Sequence, residues 1–525
     1  MGQDQQDDAL HGREEGEVGE LHRRMKARHI SMIAIGGALS TGLLIGTGTG
    51  LSVGGPVSLL IAFCVVGVCC TAVMFALGEM GTFIPHARGF AGHASMFVSP
   101  EFGFALGYNY LFKYLVATAV QLNASALIIS YWNQEISGGV WISVIIVFIL
   151  LINFFGPRAF GEIEFWLGAI KITTITGLII LMIVIDLGGG PNRDRIGFRN
   201  WKSGKAFKEY KAEGDLGRFL GFWSVMISAL FAYTGTELVG VTIGEAKDPR
   251  KSFPSAVRKT LFRIVFFYIF SVFMVGLVVP SDHPLLLSAT KSKTSATASP
   301  FVVAVKIAGI EVLPSIINAV LLIIVISAAN SDQYIASRTL YGLAIEGKAP
   351  RIFTRVNRFG VPYVALCFTA CFCSLAYINL AEGGSKSFNY LVASGTIFAG
   401  IAWIAILITH IRFRMALKLL RAEGSTAAGA GGEKGQQAVE YHLPWTSPGG
   451  MWLSVVSLFW TSLVILFKSW TAFVPWNWRT FVTGYIGLPV FLLLMVIYKL
   501  VMKTKIVKLS DVDFSAGKFL KDLQQ

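Results

Sequence analysis

Charge is scarce in this chain. Asp, Glu, Lys and Arg make up only 14% of its 525 residues, where a soluble domain carries about 25%. Cysteine is sparser still: Cys64, Cys69, Cys70, Cys367, Cys371 and Cys373, all inside apolar runs. That excludes a disulfide framework and a cysteine metal site, and leaves free thiols packed among helices. Catalytic signatures are missing too. No cluster has metal-ligand spacing, and no nucleophile stands out beside a base. The glycine-rich Gly46-Thr47-Gly48-Thr49-Gly50 lacks the lysine of a phosphate loop and lies within an apolar run. An enzyme and an ATP-driven pump are therefore disfavoured, and no cofactor is expected. The formal charge of +14 does not point to nucleic acid, because the excess sits in loops and tails beside apolar segments. No cleavable leader is visible: the first thirty residues are polar, and the apolar stretch after them runs on into further ones.

What is abundant is apolar surface. Hydrophobic residues make up 54% of the chain, and the mean hydropathy is +0.61. A chain this long and apolar belongs in a lipid bilayer, where each helical crossing needs roughly 20 apolar residues. Its 55 glycines suit close helix approach where no hydrophobic drive acts between helices. The apolar runs predict an all-α polytopic protein of about twelve spans, near 31–53, 57–82, 102–132, 139–156, 161–186, 217–245, 260–280, 311–344, 362–380, 388–412, 451–472 and 480–502. Gly54-Gly55-Pro56, Gly156-Pro157 and Gly188-Gly189-Gly190-Pro191 fall between them as breakers.

Lys and Arg in the short loops set the orientation. Arg23, Arg24, Lys26 and Arg28 precede the first span, and basic clusters follow the sixth, eighth, tenth and twelfth. An even count places all five regions, and both termini, in the cytosol. One segment disagrees. Residues 193–211 carry seven Lys or Arg yet fall outside, so a hidden extra span there is the main threat to this topology. The predicted organisation is a polar cytosolic tail (1–30), a first set of five spans (31–186), an extracellular loop (187–216) and a second set of five (217–421). A small-residue cytosolic linker (422–450), two last spans (451–502) and a short cytosolic tail (503–525) follow.

Two spans are interrupted at matching positions. The first reads Ile35-Gly36-Gly37-Ala38-Leu39-Ser40-Thr41-Gly42, and the sixth reads Phe231-Ala232-Tyr233-Thr234-Gly235-Thr236-Glu237. They open two successive sets of five. Glycine-interrupted helices in corresponding halves point to a transporter built from inverted repeats. Unwinding in mid-membrane frees backbone groups, which is tolerable only where they line a cavity. The half-helix N-terminus after the break offers N–H groups and a positive dipole end to a carboxylate. The carbonyls before it can take an ammonium, so a zwitterionic amino acid suits both ends. The plainer reading is that these glycines only let helices pack closely.

The same residues carry a resemblance. Phe231 through Glu237 to Gly244-Glu245-Ala246-Lys247-Asp248-Pro249-Arg250-Lys251-Ser252 resembles the sixth helix and following loop of fungal amino acid permeases, the yeast branch of the amino acid–polyamine–organocation superfamily. Ser327-Ala328-Ala329-Asn330-Ser331, Ser337-Arg338-Thr339-Leu340-Tyr341 and Glu346-Gly347-Lys348-Ala349-Pro350 are similar to its eighth helix and loop. Gly360-Val361-Pro362, Ile411-Arg412-Phe413-Arg414 and Lys503-Thr504-Lys505-Ile506-Val507 continue the match. The resemblance implies a five-plus-five inverted-repeat core of LeuT type with two extra helices, a plasma-membrane location and proton-driven uptake of an amino acid at the midplane. By position, Gly37, Ala38, Ser40, Thr41 and Gly42 would hold the substrate carboxylate and backbone, Thr234 and Gly235 would offer carbonyls to its ammonium, and Phe231 would gate the site. Gln121 stands where most such proteins carry a glutamate, cannot titrate, and is expected to line the pocket. Lys26 and the acidic run of the first tail would serve ubiquitin-ligase adaptors.

Two ionisable residues stand out at bilayer depth, where charge is costly and marks function. Lys171 lies about 20 Å of helix past Arg158. In the resembling proteins a lysine there takes the place of a bound cation, so Lys171 is either a coupling group or a charged tether. Glu237, just past the break, is a gate or coupling residue or else a cap. Glu79 near a cytosolic helix end is expected to be solvated or ion-paired, and His93 in the loop after the second span to be interfacial. A proton-coupled permease is the reading that follows. A non-transporting sensor on the same scaffold is the alternative, less favoured because such proteins tend to carry longer tails.

Overall fold

A computed structural model of the chain describes residues 41–84, 89–202, 204–238, 249–291, 299–378, 380, 384–429, 443–512 and 514. Gly37, Ala38, Ser40, His86, the tail with Lys26 and the motif Gly244–Asp248 lie outside these residues. Lipid offers no partners for free N–H and C=O groups, so crossing segments must be helices. Among the described residues, eight helices are long and apolar enough to cross a bilayer. Trp478–Tyr485 and Gly487–Met502, bent by 48° at their junction, make a ninth crossing, and Gly138–Phe154 and Tyr363–Tyr377 are shorter apolar helices. The first of the eight, Gly42–Phe83, is two segments that meet at Gly55, whose φ of +80° no side chain tolerates well. Counting its two halves separately gives twelve apolar segments, in the order expected.

These are numbered here as spans: first (42–54), second (56–83), third (Pro100–Ile129), fourth (Gly138–Phe154), fifth (Pro157–Asp186), sixth (Gly214–Tyr233), seventh (Pro254–Val278), eighth (Leu313–Ile345), ninth (Tyr363–Tyr377), tenth (Gly384–Gly429), eleventh (Gly450–Phe467) and the bent twelfth. The first and second pack on the sixth, and the third packs on the eighth and tenth. Enclosure sorts them: 78% of the most apolar window of the third span is buried, but only 28% of that of the eleventh. The third span is the axis of the bundle, and the eleventh flanks it.

The basic segment 193–211 is a loop. Its described residues hold only the short 3-10 turn Gly197–Trp201, with no helix of crossing length. It is seated on the bend between the first two spans: the Lys208 N–H donates to Gly54 O, and the Val57 N–H to Ala206 O, each at 3.1 Å. Part of its charge is answered locally, since Arg199 grips Asp194 at 2.6 Å and holds that carboxyl below the usual range. The tenth span differs from expectation at its end. Its helix continues to Gly429, into the segment expected to be linker from 422: 415–422 (MALKLLRA) are good helix formers and carry it past the apolar run.

At the opposite end of the second span, Glu79 is fully buried rather than solvated. It pairs with Arg414 Nε at 2.5 Å and accepts from the Ser447 N–H at 2.9 Å, with His410 Nε2 at 3.5 Å. His93 is buried too, contrary to an interfacial place, because the short helix Gly89–Phe97 folds it back onto Ile84 O at 2.8 Å. The chain beyond the twelfth span crosses this same end: the Val507 N–H donates to Val98 O at 3.0 Å, and Phe514 joins the rings of Phe83, Phe97 and Phe413.

Candidate functional site

The sixth span stops at Tyr233, in the middle of an apolar sequence. Its last carbonyls would be orphaned there. The next residues take them up: the Thr234 N–H and Oγ1 both donate to Phe231 O (3.2 and 2.7 Å), and Thr236 Oγ1 donates to Tyr233 O (2.5 Å). Gly235, at φ +93°, turns the chain, and its carbonyl accepts from the Leu238 N–H at 3.2 Å. Threonines favour this break because their hydroxyls bond backbone that a helix no longer satisfies.

The first span runs against this turn with almost no space between backbones. A Cβ on Gly42 would stand 2.5 Å from Ala232 Cα and 2.9 Å from Phe231 O. Thr41, just before it, is fully buried and donates from Oγ1 to Gln121 Oε1 of the third span at 3.0 Å. So Thr41, Gly42, Gln121, Phe231, Thr234 and Gly235 come together, while Gly37, Ala38 and Ser40 fall outside the described residues.

Glu237 is fully buried just past the turn. Oε2 accepts from the Gly235 N–H and from Trp403 Nε1 of the tenth span, each at 3.2 Å. Oε1 pairs with Lys113 Nζ of the third span, a residue only 3% exposed. Two charges taken out of water are costly, and the extra donors on Glu237 offset part of that cost. Sequence reasoning singled out Glu237 but missed Lys113. The signal was available, since Lys113 interrupts the apolar run of the third span.

Between the third, sixth and eighth spans lies a cavity of about 40 Å³. Lys113 and Gln121 line it from the third span, Phe231, Thr234 and Gly235 from the break, and Ser331 and Asp332 from the eighth. Phe231 covers one side and meets Phe388 of the tenth span edge-on at 6.3 Å. Ser331 Oγ is buried with no hydrogen-bond partner among the described residues. Asp332 was also missed by the sequence reading. Gln121 Nε2 lies 3.5 Å from its Oδ2, so a carboxylate reaches the non-titrating amide from another span. The cavity thus offers both signs of charge and an unused hydroxyl, which together suit a zwitterion.

Lys171 does not line the cavity. It is fully buried on the fifth span and pairs with Glu164 at 3.1 Å, whose other oxygen accepts from Ser327 of the eighth span at 3.0 Å. Asn330, next to Ser331, accepts from Asn153 of the fourth span at 2.8 Å and so ties helices together. No group of three metal-binding side chains occurs among the described residues.

A bundle of apolar helices with a discontinuous span and a charged cavity at the break defines a membrane transporter. The amino acid permease model matches residues 29–428 and 433–511, and the chain belongs to that family. It is 47% identical over 511 residues to the dicarboxylic amino acid permease of Saccharomyces cerevisiae, covering 96% of this chain and 81% of that protein. It is 38% identical over 514 residues to a proline-specific permease of Emericella nidulans (96% and 90% covered). Identity to a lysine-specific permease of Saccharomyces cerevisiae is also 38%, over 501 residues (95% and 79% covered). The fold is shared with a solved manganese transporter of Eremococcus coleocola, at TM-score 0.50 and 12% identity over 90% of this chain and 94% of that one. The chain is accordingly an all-α polytopic transporter of amino acids with the five-plus-five inverted-repeat core of its family and two further helices.

Proposed function

We propose that the protein takes up amino acids across the plasma membrane by proton-coupled alternating access, with both termini in the cytosol. The observation that carries this reading is the broken sixth span, which sets Thr234 and Gly235 at a cavity within the bundle that Lys113, the ion-pair partner of Glu237, also lines. In the proposed cycle substrate and proton enter from outside, the first and sixth spans rock against the third, fourth, eighth and ninth, and release is cytosolic. Gly37, Ala38, Ser40, Thr41 and Gly42 take the substrate's α-carboxylate and backbone, Thr234 and Gly235 its ammonium, Gln121 lines the pocket and Phe231 gates it. Lys171 and Glu237 are the coupling groups. The cavity has room for only a few waters at about 10–15 Å³ each, so an amino acid needs the widening that rocking supplies. The name of the 47% identical relative favours an acidic amino acid as cargo. The Lys26 tail is the proposed contact for ubiquitin-ligase adaptors.

The test is uptake of the individual radiolabelled amino acids by permease-deficient yeast expressing the chain, at acidic and neutral external pH, with and without an uncoupler. Accumulation that collapses with the uncoupler supports the reading. Good surface expression with no uptake of any amino acid refutes it. Intact proton-driven accumulation in Lys171→Ala would remove Lys171 from coupling.

A further inference from the structure

Among the described residues two buried lysines are ion-paired, and they are placed differently. Lys171 and Glu164 sit away from the cavity, and their pair connects the fifth span to the eighth through Ser327. Lys113 lines the cavity itself. A pair needed only to hold helices together has no reason to face an opening.

An ammonium has three N–H donors. Glu237 uses one, and Lys113 Nζ lies 3.4 Å from Tyr114 Oη and 4.5 Å from the centre of that ring. Glu237 leans on Lys113 less than the reverse, since the Gly235 N–H and Trp403 Nε1 already hold its other oxygen. The lysine's flexible stem lets its charge serve a second acceptor beside the first. Ser331 Oγ, buried and unpartnered among the described residues, faces the same space. The opposing charge is Asp332, whose hydrogen bonding among the described residues is one long contact with Gln121.

This arrangement bears on the substrate's side chain. In the reading above, the α-carboxylate and ammonium are taken by the two broken spans. A neutral side chain leaves the spare donor of Lys113 unmet in a water-poor cavity, whereas a carboxylate completes it with a charge-assisted bond. We propose that Lys113 is the subsite for a second carboxylate, on the side chain of the substrate, and so sets a preference for acidic over neutral amino acids. This rests on the cavity being the amino acid site. Asp332 works against such a ligand by like-charge repulsion, and therefore limits the preference.

The experiment uses the full chain in permease-deficient yeast and measures how well unlabelled aspartate and its uncharged isostere asparagine inhibit uptake of labelled aspartate, or of another transported amino acid where aspartate itself is not taken up. A charge-assisted bond predicts that wild type favours aspartate by about 10- to 100-fold. Lys113→Met combined with Glu237→Gln removes the pair without stranding a buried charge, and should bring the ratio close to one. Asp332→Asn should raise the ratio. Uptake of amino acids with no preference for aspartate overturns the Lys113 subsite and leaves the transport reading standing. Absence of all amino acid uptake instead overturns that reading. A preference that survives the double variant also overturns the subsite. Should the double variant not reach the surface, or reach it without transporting because Glu237 is also a coupling group, Asp332→Asn decides: an unchanged or lower ratio refutes the proposal.

Discussion

Replacing Gly42 by alanine tests the tightest contact of the site. The new Cβ would lie 2.5 Å from Ala232 Cα and 2.8 Å from its nitrogen. Carbon atoms in contact rest at about 3.5–4.0 Å, so the first and sixth spans must part by about 1 Å. Both obstacles are backbone atoms, and no side chain can rotate out of the way. Overpacking of this kind costs about 1–3 kcal/mol, against a gain of up to about 1 kcal/mol for replacing a helical glycine. Gly342→Ala and Gly177→Ala are the controls, because nothing lies within 4 Å of a Cβ at either position. Gly177 and Gly342 lie inside α-helices, so the controls report the helix gain of an added methyl without the overpacking. Each kcal/mol moves a melting point by about 2–4 °C in a domain of moderate size, and by less in a larger chain. Gly42→Ala should therefore melt a few degrees below the controls in detergent, and its uptake should fall, since the parting displaces Phe231 and the Thr41–Gln121 bond beside the cavity. A Gly42→Ala protein that melts with the controls and transports as wild type would refute the close approach of these two spans.

Lys113→Met alone leaves Glu237 buried and uncompensated, a loss of about 3–5 kcal/mol. Adding Glu237→Gln should restore most of the melting temperature, whereas additive losses would show that the two groups are not coupled. At the other end of the bundle, Glu79→Gln weakens the hold on Arg414 and the Ser447 N–H. With Arg414 19% exposed, the expected cost is about 1–3 kcal/mol, read as a lower melting temperature and easier proteolysis of the chain around Ser447. No change in either would mean that the contact contributes nothing to this end of the fold.

The broken sixth span was legible because its cause is local. Thr234, Gly235 and Thr236 carry the turn in their own side chains and dihedral, and Glu237 reaches back only two residues to the Gly235 N–H. The bend at Gly55 was legible for the same reason. The basic loop 193–211 was ambiguous, because its seven Lys and Arg argue for the cytosolic side while the count of spans puts it outside. Its backbone bonds to Gly54 and Val57, distant in sequence, are what mark it as a loop.

The sequence by itself determined the membrane setting, the twelve apolar segments, the discontinuity and the family. These follow from hydropathy, from glycine and from contiguous motifs, each read within a window shorter than one helix. Tertiary structure decided which charges meet. Lys113 and Glu237 are 124 positions apart, and Gln121 and Asp332 are 211 apart, so no local pattern pairs them. Lys171, the most conspicuous lysine in the sequence, went to Glu164 on its own helix instead of the cavity. The cost of a lone charge in lipid dictates that a buried lysine finds oxygen partners, and Lys113 and Lys171 each find a carboxylate; only the packing of the third span between the sixth and eighth decides that Lys113 is the one left lining the cavity.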